Sequence, residues 1–520
     1  RAGVFTLTGK MLGTAKQDIT LFRGPGGMVE QSSAEIWAAV CTAVRGAVTA
    51  AGVAPTEIQG LGFDATCSLV VLGADGPLAV GPSEDPARDI IVWMDHRAID
   101  QSERINAMGH PVLDYVGGRI SPEMQTPKLL WLKENRPETF AAAANFFDLA
   151  DFLTWRATGD LARSTCTVTC KWTYLAHENC WSPDYFHKIG LPELADEGFA
   201  RIGQRVVDPG TPLGQGLTAQ AAADLGLLPG TAVGAGMIDA HAGGIATVGW
   251  DGAPQATLGY VFGTSSCTMT STADPVFVPG VWGPYYSAML PGMWLNEGGQ
   301  SAAGAAIDQL LAFHPAAAEA RALAEAAGLP LPVYLAQLAE HQSTDPALLA
   351  DGLHIVPEFL GNRAPFADPH ARAVIVGLGM DRELNDLVRL YIAGLCGIGY
   401  GLRQIIDAQA KAGAVVDRIA ISGGAGQLDL VRQILADATG LPLLSVTADE
   451  PVLLGAAILG AVAAGASASV GAAMEAMSHR NRTYHPSSPE AVARHDRRYQ
   501  AFLLLQSVAR QIAAPVAPSL

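Results

Sequence analysis

At 520 residues the chain is too long for one ordinary core, so two or more domains are expected. A composition that is 49% hydrophobic and 16% charged excludes disorder and calls for large buried cores. The formal net charge of −17, with no basic run, excludes a nucleic-acid binder, because neutralising phosphates takes clustered Lys and Arg.

The chain opens on Arg1-Ala-Gly-Val-Phe-Thr-Leu-Thr-Gly, whose alternation predicts a strand running into a turn. An amphipathic helix is expected over Ser33–Ala51, then an apolar strand over Ile58–Phe63 leading into Asp64-Ala65-Thr66-Cys67-Ser68. A further strand, Asp89–Trp93, ends in Met94-Asp95-His96-Arg97. Alternation of strands and helices to about residue 240 argues for an α/β layer structure.

A second cycle begins near Gln255. Residues 256–270 read as a hairpin-like strand pair around Gly263-Thr264-Ser265-Ser266, and residues 301–314 as a helix. Residues 314–350 read as helical, 355–378 as a Pro-punctuated loop feeding a strand, and Leu387–Ala410 as a long helix. The closing unit is strand Arg418–Ser422, turn Gly423-Gly424-Ala425, helix Leu428–Thr439, strand Leu441–Ser445 and an apolar helix over 453–465. Residues 451–474 carry no charge and are long enough to span a bilayer. Their Ala/Gly/Ser bias makes insertion weak, so a buried helix is the expectation. With no signal peptide at the start of the chain, a cytoplasmic protein is expected.

Seven cysteines without a CxxC read as reduced thiols rather than a disulfide scaffold. Cys166, Cys170 and Cys180 lack a His at metal-ligand spacing, which favours small buried thiols over a metal site.

The stretch Gly234–Ser266 concentrates the chemistry. Asp239, set among small residues, suits a general base, although Asp is equally favoured as a helix N-cap. The loop Gly263, Thr264, Ser265 can offer N–H groups and hydroxyls to phosphate oxygens, but taken alone it reads more readily as a plain turn. A strand, a Gly-rich turn (Gly423, Gly424, Ala425) and a helix, in that order, present helix N-terminal N–H groups to phosphate. Base and phosphate cradle together point to phosphoryl transfer onto a hydroxyl, in a two-lobed enzyme with Asp239 near the junction.

These motifs resemble the FGGY carbohydrate kinases of the sugar kinase/Hsp70/actin superfamily. The likeness rests on Thr126–Asn135 (TPKLLWLKEN), the acid of GMIDAHAGG, the FGTSS loop, Asn296–Asp308 (NEGGQSAAGAAID) and the turn Ser422–Gln427 (SGGAGQ), and it covers nearly the whole chain. The resemblance implies two actin-like, ribonuclease H-like domains with a cleft between them: residues 1–247 on the sugar side and 248–520 on the nucleotide side. It implies ATP and Mg²⁺ and a sugar as ligands, no nucleic acid, no membrane, and the homodimer common in the family. It implies Asp239 as the base; Gly263, Thr264 and Ser265 on the β and γ phosphates; and Gly304, Gly423, Gly424, Ala425 and Gln427 around the nucleotide. On the acceptor side it implies Ala65, Lys171 and Glu297 at positions like the substrate contacts of ribulokinases, with Trp93 and Asp95 as apolar wall and polar contact. On residue type alone Lys171 reads as a solvated surface Lys and Asp95 as an ordinary turn acid. Family members open with a strand and an Asp-x-Gly-Thr-type loop ahead of a segment like Arg1–Phe5, so further residues are expected upstream, and no metal ligand can be named. Thr66–Val70 and Gly361–Pro369 resemble the D-ribulokinase branch. The expected reaction is D-ribulose to D-ribulose 5-phosphate. L-ribulose, D-xylulose or ribitol is the alternative acceptor, and a non-sugar actin-like ATPase is the alternative class.

Overall fold

In the computed structural model, which describes residues 1–513, the strand signals of the second half assemble into one seven-stranded sheet. Its spatial order is Trp282–Tyr286, Trp294–Gln300, Ser266–Thr272, Thr257–Phe262, Arg418–Ser422, Leu443–Val446 and Arg480–Tyr484. Thr257–Phe262 and Ser266–Thr272 form the expected hairpin, and Trp294–Gln300 continues it antiparallel. Arg418–Ser422 lies parallel to Thr257–Phe262 on the other side, with Leu443–Val446 parallel beyond it. An antiparallel meander extended by parallel strands is the ribonuclease H-like arrangement of the actin-like fold. Parallel strands need covered crossovers, which the helices Leu384–Ala412 and Asp429–Thr439 supply.

The first half is more divided. A sheet runs in the order Ala143–Asp148, Leu69–Gly73, Ile90–Ile91, Val29–Gln31, Phe22–Arg23. Beside it lie short pairs: Ala2–Phe5 with Met11–Ala15, Gly60–Leu61 with Ala232–Val233, and Asp64–Ala65 with Met237–Ile238. A cavity of about 350 Å³ separates Ala2–Phe5 from Gly60–Phe63, and Asp64 lines it. The helix Ser33–Ala51 forms as the pattern predicts, capped by Ser32 and ended by Gly52 in the left-handed region. The predicted strand Ile58–Phe63 is instead two short strands interrupted near Gly62. Regular strand–helix alternation also gives way: residues 99–196 are mostly helical, with Gln125–Asn135 and Leu149–Thr158 almost wholly buried.

The expected apolar helix spans Pro451–Ala463. Itself part of the second half, it packs backbone to backbone on the first. A Cβ on Gly455 would lie 2.0 Å from the Ala242 carbonyl, and Cβ atoms on Gly60 and Gly62 would lie 2.1 and 2.0 Å from the Gly460 and Ala456 carbonyls. One core joins Val71, Phe146, Tyr185 and Ile245 of the first half to Met269 and Leu295 of the second; another lies around Ile307, Leu395, Ile398 and Val431 on the seven-stranded sheet. Among the described residues no single helix is long and apolar enough to cross a membrane. All seven cysteines are free thiols.

Candidate active site

Asp239 is the first residue of helix Asp239–Val248, which follows directly from strand Met237–Ile238. Its Oδ1 accepts the Ala240 N–H at 2.8 Å, while the cap position itself falls to Ile238. Burial holds its carboxyl above the usual range, with Ala240, His241 and Lys171 pulling the other way. Burial thus favours the protonated acid, while the helix start and the neighbouring cations favour the carboxylate. Register places Ile238 opposite Ala65 and Met237 opposite Asp64, so Asp239 and the Ala65–Thr66 turn lie at neighbouring strand ends. Asp64 is pushed up to about 8, first by burial and then by Asp239. Its role is not signalled in the sequence, where it reads as a residue leading into a turn.

Lys171 is no surface lysine. On helix Thr165–Trp172 it is 4% exposed, and its Nζ sits 4.8 Å from the centre of the Trp282 ring. Trp282 stands opposite Glu297 in the sheet register, so cation, aromatic face and carboxylate come together across the two halves. Glu297 accepts from the thiol of Cys267 at 3.5 Å and lies 3.2 Å from His241 Nε2. Burial would raise its carboxyl, but Lys171 and His241 outweigh that and bring it down to about 2. Lys171 is held well above its ordinary value: against the opposing effect of burial, Cys67, Glu297 and Tyr285 keep it charged. Arg363, from the Gly361–Pro369 loop, brings a second cation to the other contact with Trp282, its Cζ 5.6 Å from the ring centre. Trp282 is marked by no local motif, and Arg363 lies in the branch-like segment Gly361–Pro369 without having been singled out there.

Ala65 is buried at the turn, and Trp93 is half-buried against the first core. Lys128, of the TPKLLWLKEN stretch, donates to the carbonyls of Val92, Trp93 and Glu123 and so fixes the turn that carries Trp93. Asp95 departs from the expected sugar contact. It is fully buried, and its carboxylate accepts from Val29 N–H at 2.6 Å and from Arg97 through Nε and Nη2, while Arg97 also reaches Glu30. A carboxylate committed to a buried guanidinium is a folding device here, because Arg97 could not be buried without it.

On the opposite side the loop Gly263–Ser265 closes the hairpin, with Thr264 exposed. The Thr264 carbonyl accepts the N–H groups of Ala303 and Ala305, and the Gly263 carbonyl that of Gly304. The loop is thus pinned to the start of helix Gly304–Ala312, whose first donors it uses. A Cβ on Gly304 would lie 2.7 Å from the Gly263 carbonyl and 3.7 Å from the Ala425 Cβ, so all three glycine motifs meet here. Gly423, at φ +95, turns the chain tightly over Phe262, whereas a Cβ on Gly424 would meet nothing within 4 Å. Gln427 is exposed at the edge of this surface. Among the described residues no group of three or more His, Cys, Asp or Glu is placed to hold a metal.

A half-buried acid at a domain junction, a Lys–Glu pair on one side and converging glycine loops on the other fit a two-domain kinase of the actin-like fold. The model for the FGGY family of carbohydrate kinases, N-terminal domain, matches residues 1–246, and that for the C-terminal domain matches residues 258–464. An FGGY carbohydrate kinase domain-containing protein of Danio rerio is 45% identical, covering 97% of this chain and 95% of its own. A D-ribulokinase of Saccharomyces cerevisiae is 38% identical, covering 89% of this chain and 70% of its own. The solved xylulose kinase of Rhodospirillum rubrum shares the fold with a TM-score of 0.80 at 22% identity, covering 98% of this chain and 96% of that one. The chain belongs to the FGGY family of carbohydrate kinases. It is a carbohydrate kinase, a phosphotransferase with an alcohol group as acceptor.

Proposed function

We propose that the protein transfers the γ-phosphoryl group of ATP to a pentulose, converting D-ribulose to D-ribulose 5-phosphate. The observation that carries this reading is the buried, oppositely charged pair Lys171 and Glu297 within electrostatic reach of Asp239. A polyhydroxylated ketose suits that pair: Lys171 donates to a carbonyl or hydroxyl, and Glu297 accepts from hydroxyls. Similarity to a D-ribulokinase at 38% and to a ribulokinase of Mycolicibacterium smegmatis at 33% supports the choice of sugar.

In this reading residues 1–247 hold the sugar and 248–520 the nucleotide. Asp239 orients the terminal hydroxyl and accepts its proton late, as a loose phosphoryl-transfer transition state requires. Gly263, Thr264 and Ser265 shape the cradle for the β and γ phosphates: Thr264 and Ser265 offer N–H groups and hydroxyls, while the Gly263 N–H is held by the Ser265 carbonyl and lets the backbone approach closely. Because Thr264 and Gly263 carbonyls occupy the helix start, the donors for phosphate are those of the loop itself. Gly304, Gly423, Gly424 and Ala425 line the nucleotide, the open space over Gly424 admitting it, with Gln427 at the rim. The described residues build no cage for Mg²⁺, which fits an ion that keeps waters and phosphate oxygens as ligands and arrives with ATP. When bound it neutralises phosphate charge.

A coupled ADP-release assay across D-ribulose, L-ribulose, D-xylulose and ribitol tests the assignment. D-ribulose is expected to give the highest kcat/KM; a higher value for any other acceptor on the panel overturns the choice of sugar.

A further inference from the structure

His241 lies two residues after Asp239 in GMIDAHAGG, where no role was assigned to it, yet both of its ring nitrogens are engaged within the site. Its ring is fully buried. Nδ1 lies 3.1 Å from Cys166 Sγ and Nε2 lies 3.2 Å from Glu297 Oε2. The same sulfur accepts the N–H of Ile238, the residue just before Asp239, at 3.4 Å. One chain of contacts therefore runs from helix Thr165–Trp172 in the first half, through the helix of the base, to strand Trp294–Gln300 in the second.

A glutamate has three side-chain torsions, and a free one would have to be frozen each time a sugar arrived. Here Oε2 is fixed by the imidazole, and Oε1, with its weak contact to the Cys267 thiol at 3.5 Å, stays available to an incoming hydroxyl. The imidazole is itself fixed at its other nitrogen, as outer groups fix catalytic and metal-bound histidines elsewhere. We propose that His241 is a positioning residue of the acceptor site: clamped by Cys166, it holds the Glu297 carboxylate in the orientation that receives sugar hydroxyls and so sets affinity for the pentulose. The charges agree with this geometry. Facing the ring are Cys166, Glu297 and Asp239, with Cys170, Lys171 and Cys267 behind them. Against burial, which favours the neutral ring, Cys166 and Glu297 raise His241 to about 10, so both nitrogens donate.

The proposal rests on the reading of Glu297 as a sugar ligand, and the experiment separates the two. In the full chain, His241→Asn keeps a donor toward Cys166 but cannot reach Glu297, whereas His241→Gln places an amide nitrogen where Nε2 stood. With the panel pentulose of highest kcat/KM, H241N is expected to raise the sugar KM roughly tenfold or more, the size of a lost hydrogen bond to a charged group. KM for ATP should stay unchanged, and H241Q should recover most of the loss. Equal KM defects in H241N and H241Q would mean a merely structural role and overturn the proposal. If E297A raises the sugar KM but H241N does not, the positioning role fails alone; if E297A leaves the sugar KM unchanged, the reading of Glu297 fails and the proposal with it. Independently of any sugar, ring 15N signals of His241 at pH 8 should be those of an imidazolium and should shift in E297A. A neutral, unshifted ring overturns the proposal.

Discussion

Replacing Lys171 by Met tests the acceptor site most directly, because Met keeps the length and apolar bulk of the side chain and removes only the charge. Lys171 is the leading attraction that offsets burial at Glu297, whose carboxyl moves from 4.5 to about 2. A displacement of that size corresponds to about 3 kcal/mol, shared with His241 and Arg363. Contact with the Trp282 face, at 4.8 Å, adds about 1–2 kcal/mol for a desolvated cation. At pH 7 the variant should therefore lose about 3 kcal/mol of stability in urea unfolding, somewhat less than the leaving of an uncompensated buried charge because His241 remains. The sign of the pH dependence follows from the depressed carboxyl. Its contribution is fully present above 4.5 and lost as pH falls toward 2. In the variant Glu297 protonates at higher pH, which relieves its own penalty, so the stability gap between wild type and variant narrows as pH falls below about 5. In coupled assays the pentulose KM should rise roughly a hundredfold with little change in KM for ATP. A variant with wild-type sugar KM and a pH-independent stability gap would refute the reasoning.

Four further substitutions probe the rest of the site. Asp239→Asn should lower kcat by about 10²–10⁴-fold while calorimetry finds ATP binding near normal; retained turnover would remove the base from the mechanism. Asp64 is raised to about 8, so the folded state holds its proton where the unfolded state has lost it, and stability falls as pH rises from about 4 to 8. Asp64→Asn should accordingly raise Tm more at pH 8 than at pH 5, and equal shifts at both would contradict the burial of this carboxyl. Gly424→Ala enters open space and should leave Tm unchanged while raising KM for ATP. Gly423→Ala, whose Cβ would stand 2.4 Å from the Phe262 carbonyl at φ +95, should cost about 1–3 kcal/mol of stability.

The geometry of the proposed nucleotide side was legible because its signals are local. Alternation, a Gly-Thr-Ser loop and a Gly-Gly turn after a strand each state their geometry within ten or so residues, and the hairpin and Arg418–Ser422 form where the pattern puts them. The acceptor side was legible only through resemblance, since its pairs are made by the fold. Cys166 and His241 are 75 residues apart, and Lys171 meets Trp282 and Glu297 from the other domain. Strand Trp294–Gln300 hid itself behind two glycines, which weaken a strand signal. A Cβ on Gly299 would lie 2.0 Å from the Ser266 carbonyl, so close approach to the neighbouring strand, not flexibility, accounts for it. Asp95 was misread because turn position and residue type are the same for a ligand contact and for the partner of a buried arginine; only the location of Arg97 tells them apart.

The charge-free helix Pro451–Ala463 has a mechanical consequence. Where side chains line a joint between moving parts, each small displacement is absorbed by a change of rotamer before it is passed on. This joint is lined by backbone: Gly455 on Ala242, and Ala456 and Gly460 on Gly62 and Gly60. Asp239 lies three residues before Ala242, within one helical turn. Any tilt of the second half against the first would therefore reach the start of helix Asp239–Val248 without rotamer slack.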